Sequence, residues 1–486
     1  MNAELETWTS QYLDGTISAD KMASLSRALE ESAAARCEFA DWLDLDAALG
    51  DHAAGYEPTA VESSRPFRFF SLPVSVRSLA AAAAIVLVAT GALLLKSLAS
   101  PYATVIGTTG VTDWDGRETL RGETIALSSG ALRLHTPRGA EIVIEAPATF
   151  RFDSGERLHL LGGRLAADVP PAAKGFTVVT PDGDAVDLGT RFGVDVPTEG
   201  DSEIHVFEGE VIASGSGGDR SLRTGDALAM NCGNGDAREL RSGAFIQSDE
   251  LPALDAGLAA GQEARSREAT AALKADPSLI TLIAFDEESR RPGVYRLVQG
   301  RWPGSRAAEF VEVGDHLRLD IGGDRAWPQL TLAAWVRLDR LGAPYQSLLH
   351  TDGWSEENPG QVHWMLNGDA TMRLALRENT LAPGSDEKHG YPDSRTPVLP
   401  EQGRWVHLVV VYDSEKGTVR FYLNGRLDDE THQSVAHPAR LGPAQIGNWD
   451  QQDRKLSGRI DQLVVLGRAL SDAEIGELHE AGTPYR

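Results

Sequence analysis

The acidic side chains of this chain are the first candidates for chemistry, because glycosidic hydrolysis with retention uses two carboxylates about 5 Å apart. Two carboxylates spaced two residues apart on a strand share one face and could supply the acid and the nucleophile. The chain has no ExDxE run, and its pairs Glu356-Glu357 and Asp428-Asp429 are adjacent and would point to opposite faces. HExxH, GxSxG and GxxxxGK[ST] motifs are absent as well. We therefore predict that the protein is not an enzyme.

Tryptophans are the second set of candidates, and seven of the ten lie in the C-terminal part of the chain. Trp354, Trp364 and Trp449 stand among Gly, Asp and Asn residues, which favours a platform on which a sugar ring could stack. Packing inside a protein core is the alternative for these three residues. Trp335 and Trp405 lie inside apolar strands and are predicted to be core residues.

Length and charge limit the classes of function. A chain of 486 residues is too long for one core, so several units are expected. The formal net charge of −25 argues against direct binding to nucleic acid. Only two cysteines occur, which excludes a Cys-rich zinc site, and the twelve histidines are scattered singly along the chain.

An uncharged apolar run of eighteen residues, 78–95, lies between Arg77 and Lys96. At about 1.5 Å per residue a helix of this length reaches roughly 27 Å, close to the thickness of the hydrocarbon core of a bilayer. The run predicts one transmembrane helix, with a buried core helix as the alternative. Arginines precede the run closely, while no Lys or Arg follows Lys96 until Arg117. The positive-inside rule therefore predicts a cytoplasmic N-terminus and an external C-terminal part.

The residues before this run are predicted to form a small all-α bundle, 1–50, followed by a juxtamembrane linker, 51–77. Apolar residues such as Trp8 and Tyr12 recur at helical spacing, whereas Pro and Ser accumulate in the linker. The first 76 residues contain 13 Asp or Glu against 5 Lys or Arg. Such an acidic module suits a basic or apolar partner.

The pattern after the run changes to alternating apolar residues separated by Gly and Pro. It predicts an all-β domain over 101–235, a charged helical connector over 236–277 and a β-sandwich over 278–486. The alternation over 330–338 predicts a half-buried strand, and Asn424-Gly425 after an alternating run predicts a hairpin turn. Ser471 and Glu474 predict a capping box for a short closing helix.

Two parts of the chain resemble FecR-type membrane regulators of sigma factors. The first is the stretch from Gln11 to Ser18 followed by helices and one apolar span, in the version without a zinc-binding HxxxCxxC motif. The second is a series of short motifs in the order expected of the FecR domain: Thr136-Pro137-Arg138-Gly139, Leu161-Gly162-Gly163-Arg164-Leu165, Val179-Thr180-Pro181, Leu188-Gly189-Thr190-Arg191-Phe192 and Val206-Phe207-Glu208-Gly209-Glu210-Val211.

This resemblance implies an anti-sigma type of protein in the bacterial inner membrane, with one span and periplasmic C-terminal domains. It also implies that the N-terminal module holds a sigma factor, and we expect Trp8, Tyr12 and Leu13 to contribute to that contact. The chain lacks the small transporter-contacting domain of the family, which leaves the source of the signal open.

The last part of the chain resembles LamG-like, concanavalin A-type jelly rolls. The resemblance rests on four strings, which run from Gly403 to Asp413, Val419 to Gly425, Gly458 to Leu463 and Arg468 to Ile475. It implies a module that binds a glycan or a protein. Some members of this fold carry a structural calcium ion, and Asp461 and Asp286 are the positions where that ion would be expected, with a buried or turn-capping carboxylate as the alternative.

The sequence as a whole therefore predicts a multidomain fold: a small all-α cytoplasmic bundle, one transmembrane helix, an all-β FecR-like domain and an all-β jelly-roll sandwich. The predicted function is a transmembrane regulator that holds a sigma factor and senses an external ligand, such as a polysaccharide. The competing hypothesis is a membrane-anchored glycan- or protein-binding module that regulates no sigma factor.

Overall fold

The structure is a computed structural model of the chain. It describes residues 11, 16–18, 21–26, 39, 100–230, 235–285, 293–341, 343–354, 357–384, 391–399, 402–449 and 454–486. Residues 21–26 are helical.

The first β unit, residues 103–238, is one sheet of fourteen strands. Its strands are β1 (Ala103–Thr109), β2 (Thr119–Leu120), β3 (Ile125–Leu127), β4 (Ala131–His135), β5 (Glu141–Ser154), β6 (Arg157–Asp168), β7 (Thr177–Thr180), β8 (Gly183–Asp187), β9 (Arg191–Val196), β10 (Ser202–Glu208), β11 (Glu210–Gly215), β12 (Gly218–Arg223), β13 (Ala227–Met230) and β14 (Asp236–Arg238).

Strand β6 is the branch point of this sheet. It pairs with β5 and β9 in antiparallel register and with β7 in parallel register. The sheet closes on a core to which most strands contribute, including Phe150, Phe192 and Val194. Gly163 in β6 has φ +100°, and a Cβ atom there would lie 2.5 Å from the carbonyl oxygen of Pro147. Only glycine therefore allows β5 and β6 to approach this closely.

The second β unit, residues 279–466, is a sandwich of two sheets. The nine-stranded sheet contains β15 (Leu279–Ala284), β17 (Arg296–Gln299), β18 (Arg306–Phe310), β20 (Gln329–Leu338), β24 (Thr380–Leu381), β25 (Trp405–Asp413), β26 (Thr418–Leu423), β27 (Arg426–Val435) and β29 (Gly458–Leu466). The six-stranded sheet contains β16 (Gly293–Val294), β19 (His316–Trp327), β21 (Tyr345–Thr351), β22 (Val362–Asn367), β23 (Met372–Leu376) and β28 (Ala439–Ile446).

The core of the sandwich lies between the two sheets and follows the alternation of side chains along each strand. Leu332, Ala334 and Val336 of β20 face Trp364 and Leu366 of β22 inside one apolar cluster. Strands β26 and β27 are joined at Asn424-Gly425, whose φ values are both positive, as the sequence predicted for this hairpin turn.

Three α-helices are described after the first β unit: α1 (Leu251–Ala259), α2 (Gln262–Ala275) and α3 (Asp472–Gly482). Leu273 of α2 and Ile475 of α3 pack on the outer face of the nine-stranded sheet. Leu251 of α1 packs on Ala131 and Val143 of the first β unit. The capping box of Ser471 and Glu474 is present at the start of α3, which confirms that prediction.

The predicted fold class requires correction. The described residues are mostly β-sheet with only short helices, and neither an all-α bundle nor a transmembrane helix is found among them. Among the residues that the structure describes, no helix is both long enough and apolar enough to cross a bilayer. The predicted span at 78–95 and the linker at 51–77 lie outside the described residues, as does most of the predicted bundle at 1–50.

Candidate functional site

A cluster of aromatic and histidine side chains covers one area of the six-stranded sheet, on the face turned away from the sandwich core. The alternation along β22 creates this placement: Trp364 points into the core, and its neighbour His363 points to the opposite face. His350 of β21 pairs with His363 across the two strands. Trp354 and Trp449 follow β21 and β28 and fold over these imidazoles.

The rings of this outer aromatic cluster are in direct contact. The Trp354 ring stacks on His363 with centroids 3.8 Å apart, and the Trp449 ring stacks on His350 at 5.5 Å. The two imidazole centroids are 4.1 Å apart. Tyr391 meets Trp354 edge to face at 6.3 Å. Both indoles are half-buried, so each retains ring surface that a ligand can reach.

Both imidazoles are buried and neutral near neutral pH. Burial lowers the pKa of His363 to about 3, and the nearby Arg454 adds to this effect against a hydrogen bond with the Thr351 carbonyl. Burial also lowers the pKa of His350 well below its ordinary value, with further contributions from His363 and Arg454. His350 Nδ1 hydrogen-bonds the Ser347 hydroxyl, whereas its Nε2 has no hydrogen-bond partner.

Two arginines lie beside the cluster. The guanidinium of Arg454 lies 4.6 Å from the Trp449 ring centroid, and that of Arg377 lies 5.8 Å from Trp354. Half-buried indoles beside polar donors form the kind of surface on which sugar rings stack, since the indole contacts the apolar face of a sugar and the donors reach its hydroxyls. The arrangement is suited to binding.

The predicted platform is therefore assembled only in part. Trp354 and Trp449 are brought together, but Trp364 is fully buried in the core and cannot reach a ligand on the outer face. Trp335 and Trp405 are buried, as expected of core residues.

Asp461, one of the two positions predicted for calcium, has partners in the protein. The Asp461 carboxylate accepts a hydrogen bond from the Arg301 backbone N–H at 2.8 Å and forms an ion pair with the Arg301 side chain at 3.3 Å. Among the described residues no group of three or more His, Cys, Asp or Glu is placed to hold a metal. Asp286 lies outside the described residues, as do Trp8, Tyr12 and Leu13. The calcium and sigma-factor contacts stay predictions.

A second feature, which the sequence did not reveal, is a network of buried charges between the two β units. We call it the ionic junction. Its members are each at most 6% exposed: Glu145, Arg164, Asp195, Glu203, Arg241, Glu309, Asp339 and Arg459.

Glu309 of the second unit is the centre of the ionic junction. The two terminal nitrogens of Arg164 donate to its two carboxylate oxygens, each at 3.0 Å. Arg459 Nε donates to Glu309 at 3.3 Å, and Arg459 Nη1 donates to Glu145 of the first unit at 2.6 Å. The two units are thus tied by bidentate and bridging pairs, the strongest geometry for such contacts.

Arg241 extends the ionic junction through the segment between the units. It donates to Glu203 at 2.8 Å and to Asp195 at 3.1 Å, and it contacts Asp339 at 3.4 Å. Burial opposes ionisation of Glu309, but Arg164, Arg459 and Arg241 together hold its pKa below the ordinary value. Burial raises the pKa of Asp339, and the negative charge of Glu309 raises it further.

The fold and these two sites define a mostly β protein in which a sheet unit is joined to a jelly-roll sandwich. Comparison with known families assigns both parts. Residues 128–212 match the FecR protein family, and residues 314–476 match the concanavalin A-like lectin/glucanases superfamily in its Laminin_G_3 form. Both resemblances found in the sequence are confirmed: the chain combines a FecR segment with a concanavalin A-like segment.

Solved structures resemble parts of the chain. A candidate anti-sigma factor from Parabacteroides distasonis is 20% identical over 24% of this chain and 57% of its own, with a TM-score of 0.21. A candidate carbohydrate-binding protein from Bacteroides ovatus is 14% identical over 35% of this chain and 46% of its own, with a TM-score of 0.26. This chain thus spans about half the length of each of these two proteins.

A third structure is domain 4 of AbnA, a GH43 extracellular arabinanase from Geobacillus stearothermophilus, in complex with arabinotriose. It is 20% identical over 41% of this chain and 86% of its own, with a TM-score of 0.28. A search of curated proteins finds no match.

Proposed function

We propose that the protein is a sigma-factor regulator of the FecR type whose jelly roll binds a glycan at the outer aromatic cluster. The observation that carries this proposal is the combination of a FecR segment and a concanavalin A-like segment in one chain. Regulation is by binding alone: a glycan on one unit changes the free energy with which another part of the chain holds its sigma factor.

The outer aromatic cluster supports the glycan part of this proposal. Trp354 and Trp449 present indole surface for the apolar face of a sugar ring, and Arg454 supplies donors beside them. His350 and His363 are neutral, so an uncharged ligand meets no charged imidazole there. The proposed ligand is a polysaccharide.

The sigma-factor part rests on the FecR segment and on the acidic N-terminal sequence. The 13 Asp and Glu residues in the first 76 positions suit a partner with a basic surface. The competing function is a binding protein whose jelly roll binds a glycan and which holds no sigma factor. Capture of a sigma factor by the full chain distinguishes the regulator from the binding protein.

Replacing Trp354 or Trp449 by Ala is expected to weaken glycan binding about threefold to tenfold for each residue, because the sugar ring loses the indole on which it stacks. The measurement is affinity electrophoresis of the full chain in gels that contain arabinan, xylan, laminarin or dextran. Thermal unfolding of each variant shows whether the second β unit stays folded.

Trp114→Ala is the matched control, since Trp114 is also half-buried but lies in the first β unit. It is expected to leave glycan retardation unchanged. If folded Trp354→Ala and Trp449→Ala chains were retarded as strongly as the unchanged chain, the outer aromatic cluster would not be the glycan site.

A further inference from the structure

A cleft of about 300 Å³ opens beside the ionic junction, between the two β units. Its first wall comes from β5, β6 and the end of β9, and its second wall comes from β17 and β18. The residues that line the cleft include Glu145, Arg164, Thr198, Tyr295, Arg296 and Glu309. The cleft is separate from the outer aromatic cluster, whose residues do not line it.

Polar atoms in this cleft have no hydrogen-bond partner in the protein. They are one carboxylate oxygen of Glu145, Oε2, and the donors Arg164 Nε and Arg296 Nη1. Glu145 and Arg164 are 5% and 6% exposed, so they are more than nine-tenths buried. A buried polar atom without a hydrogen-bond partner is unfavourable, and a ligand with matching groups would recover this lost free energy. Arg296 Nη1 has one longer contact, an ion pair with Asp195 at 3.7 Å.

The unpartnered atoms include both a hydrogen-bond acceptor and hydrogen-bond donors, and this restricts the chemical class of the ligand. Glu145 Oε2 needs a donor, whereas the two arginine nitrogens need acceptors. A hydroxyl group both donates and accepts, so a molecule with several hydroxyls can satisfy all three atoms. An anion would satisfy only the arginines and would face Glu145, and a cation would satisfy only Glu145 and would face the arginines.

The walls of the cleft favour a ring with an apolar face. Tyr295, Leu297 and Val298 line it from the second unit, and Pro147 and Pro197 line it from the first. A volume of about 300 Å³ is at the lower end of the range for small-molecule pockets, which suits one ligand of about the size of a single sugar ring.

We propose that this cleft binds a neutral, polyhydroxylated small molecule of the size of a monosaccharide. Such a ligand contacts both β units at once and therefore strengthens the junction between them. The site goes beyond the proposed function, since it does not require that the outer aromatic cluster bind a polysaccharide.

Saturation-transfer NMR and calorimetry on the full chain test this proposal. The probes are glucose, galactose, arabinose, xylose and inositol, with glucuronate and glucosamine as an anionic and a cationic counterpart. At least one neutral probe is expected to bind saturably, at least tenfold more tightly than the charged probes. If no neutral probe binds saturably, or if a charged probe binds more tightly, the proposal is overturned.

Variants at the rim assign the binding to the cleft. Thr198 is exposed, so Thr198→Trp fills the mouth of the cleft without altering the hydrophobic core of either β unit. Thr198→Ala is its matched control. Binding of the neutral probe is expected to be lost in Thr198→Trp and to stay within about twofold in Thr198→Ala. Arg296→Gln removes one unpartnered donor and is expected to weaken binding about tenfold.

The Trp354→Ala/Trp449→Ala double variant separates this site from the polysaccharide site. It is expected to bind the neutral probe as the unchanged chain does. Loss of probe binding in the double variant together with full binding in Thr198→Trp would place the probe on the outer aromatic cluster. That result would overturn the cleft proposal while leaving the proposed function standing.

Discussion

Glu309→Gln is expected to lower the free energy of unfolding by about 3–5 kcal/mol, the range for removal of one partner from a buried ion pair. Glu309 accepts from both Arg164 and Arg459, so its neutralisation leaves two buried guanidiniums without their shared carboxylate. Urea denaturation of the full chain is the appropriate measurement, because guanidinium salts would screen charges.

Glu263→Gln is the matched control for this variant. Glu263 pairs with Arg267 one helical turn away on the surface of α2, where such a pair contributes about 0.3–0.5 kcal/mol. A loss below about 1 kcal/mol for Glu309→Gln would show that the ionic junction does not hold the two units together.

The second large effect is expected on acidification. The folded chain keeps His363 neutral because burial lowers its pKa to about 3, whereas the unfolded chain binds a proton near pH 6.5. Between these two values the unfolded state binds more protons, so stability is full above about pH 6.5 and falls as the pH drops toward 3. At about 1.4 kcal/mol per pH unit, the loss from His363 reaches about 2 kcal/mol at pH 5.

The comparison of the unchanged chain with His363→Gln isolates this contribution, because glutamine cannot take a proton. Urea denaturation at pH 7, 6 and 5 is expected to give a slope of stability against pH that is shallower by about one proton in the variant. Buried groups that do not contact His363, such as Asp339, are the same in both chains and cancel in the difference. Equal slopes would mean that His363 is protonated in the folded chain.

Local features of the fold could be predicted from the sequence because each depends on a few neighbouring residues. The turn at Asn424-Gly425 follows from the tolerance of both residues for positive φ, and the capping box of Ser471 and Glu474 from two reciprocal hydrogen bonds. The strand over residues 330–338 follows from alternation, although β20 is buried along nearly its whole length, since α2 and α3 cover its outer face.

The ionic junction could not be predicted, because its partners are far apart in the sequence. Arg459 and Glu145 are separated by 314 positions, and Arg164 and Glu309 by 145. A lone Arg within an apolar strand was the only available signal, as for Arg164 in β6. For the same reason, the sequence did not predict that His350 and His363 are in contact. Nor did the residues around each tryptophan distinguish the buried Trp364 from the half-buried Trp354.

The ionic junction also matters for how a signal could pass along the chain. Glu309 lies on β18, which pairs with β29 of the nine-stranded sheet, and Arg164 lies on the branch strand β6 of the first unit. A rigid joint of buried pairs transmits a displacement of one unit to the other, whereas a flexible linker would absorb it. Ligand binding at the jelly roll can therefore bias the first unit if the proposed function is correct.

Capture of a sigma factor is the most direct test of the proposed function. The full chain is immobilised, and each purified sigma factor of the source organism is passed over it. We expect one of them to be retained, with at least tenfold weaker binding when Trp8, Tyr12 and Leu13 are all replaced by Ala. Met22→Ala is the control, because Met22 is an exposed residue of the same acidic segment. Retention of no sigma factor by a folded chain that still binds its glycan would contradict the proposal.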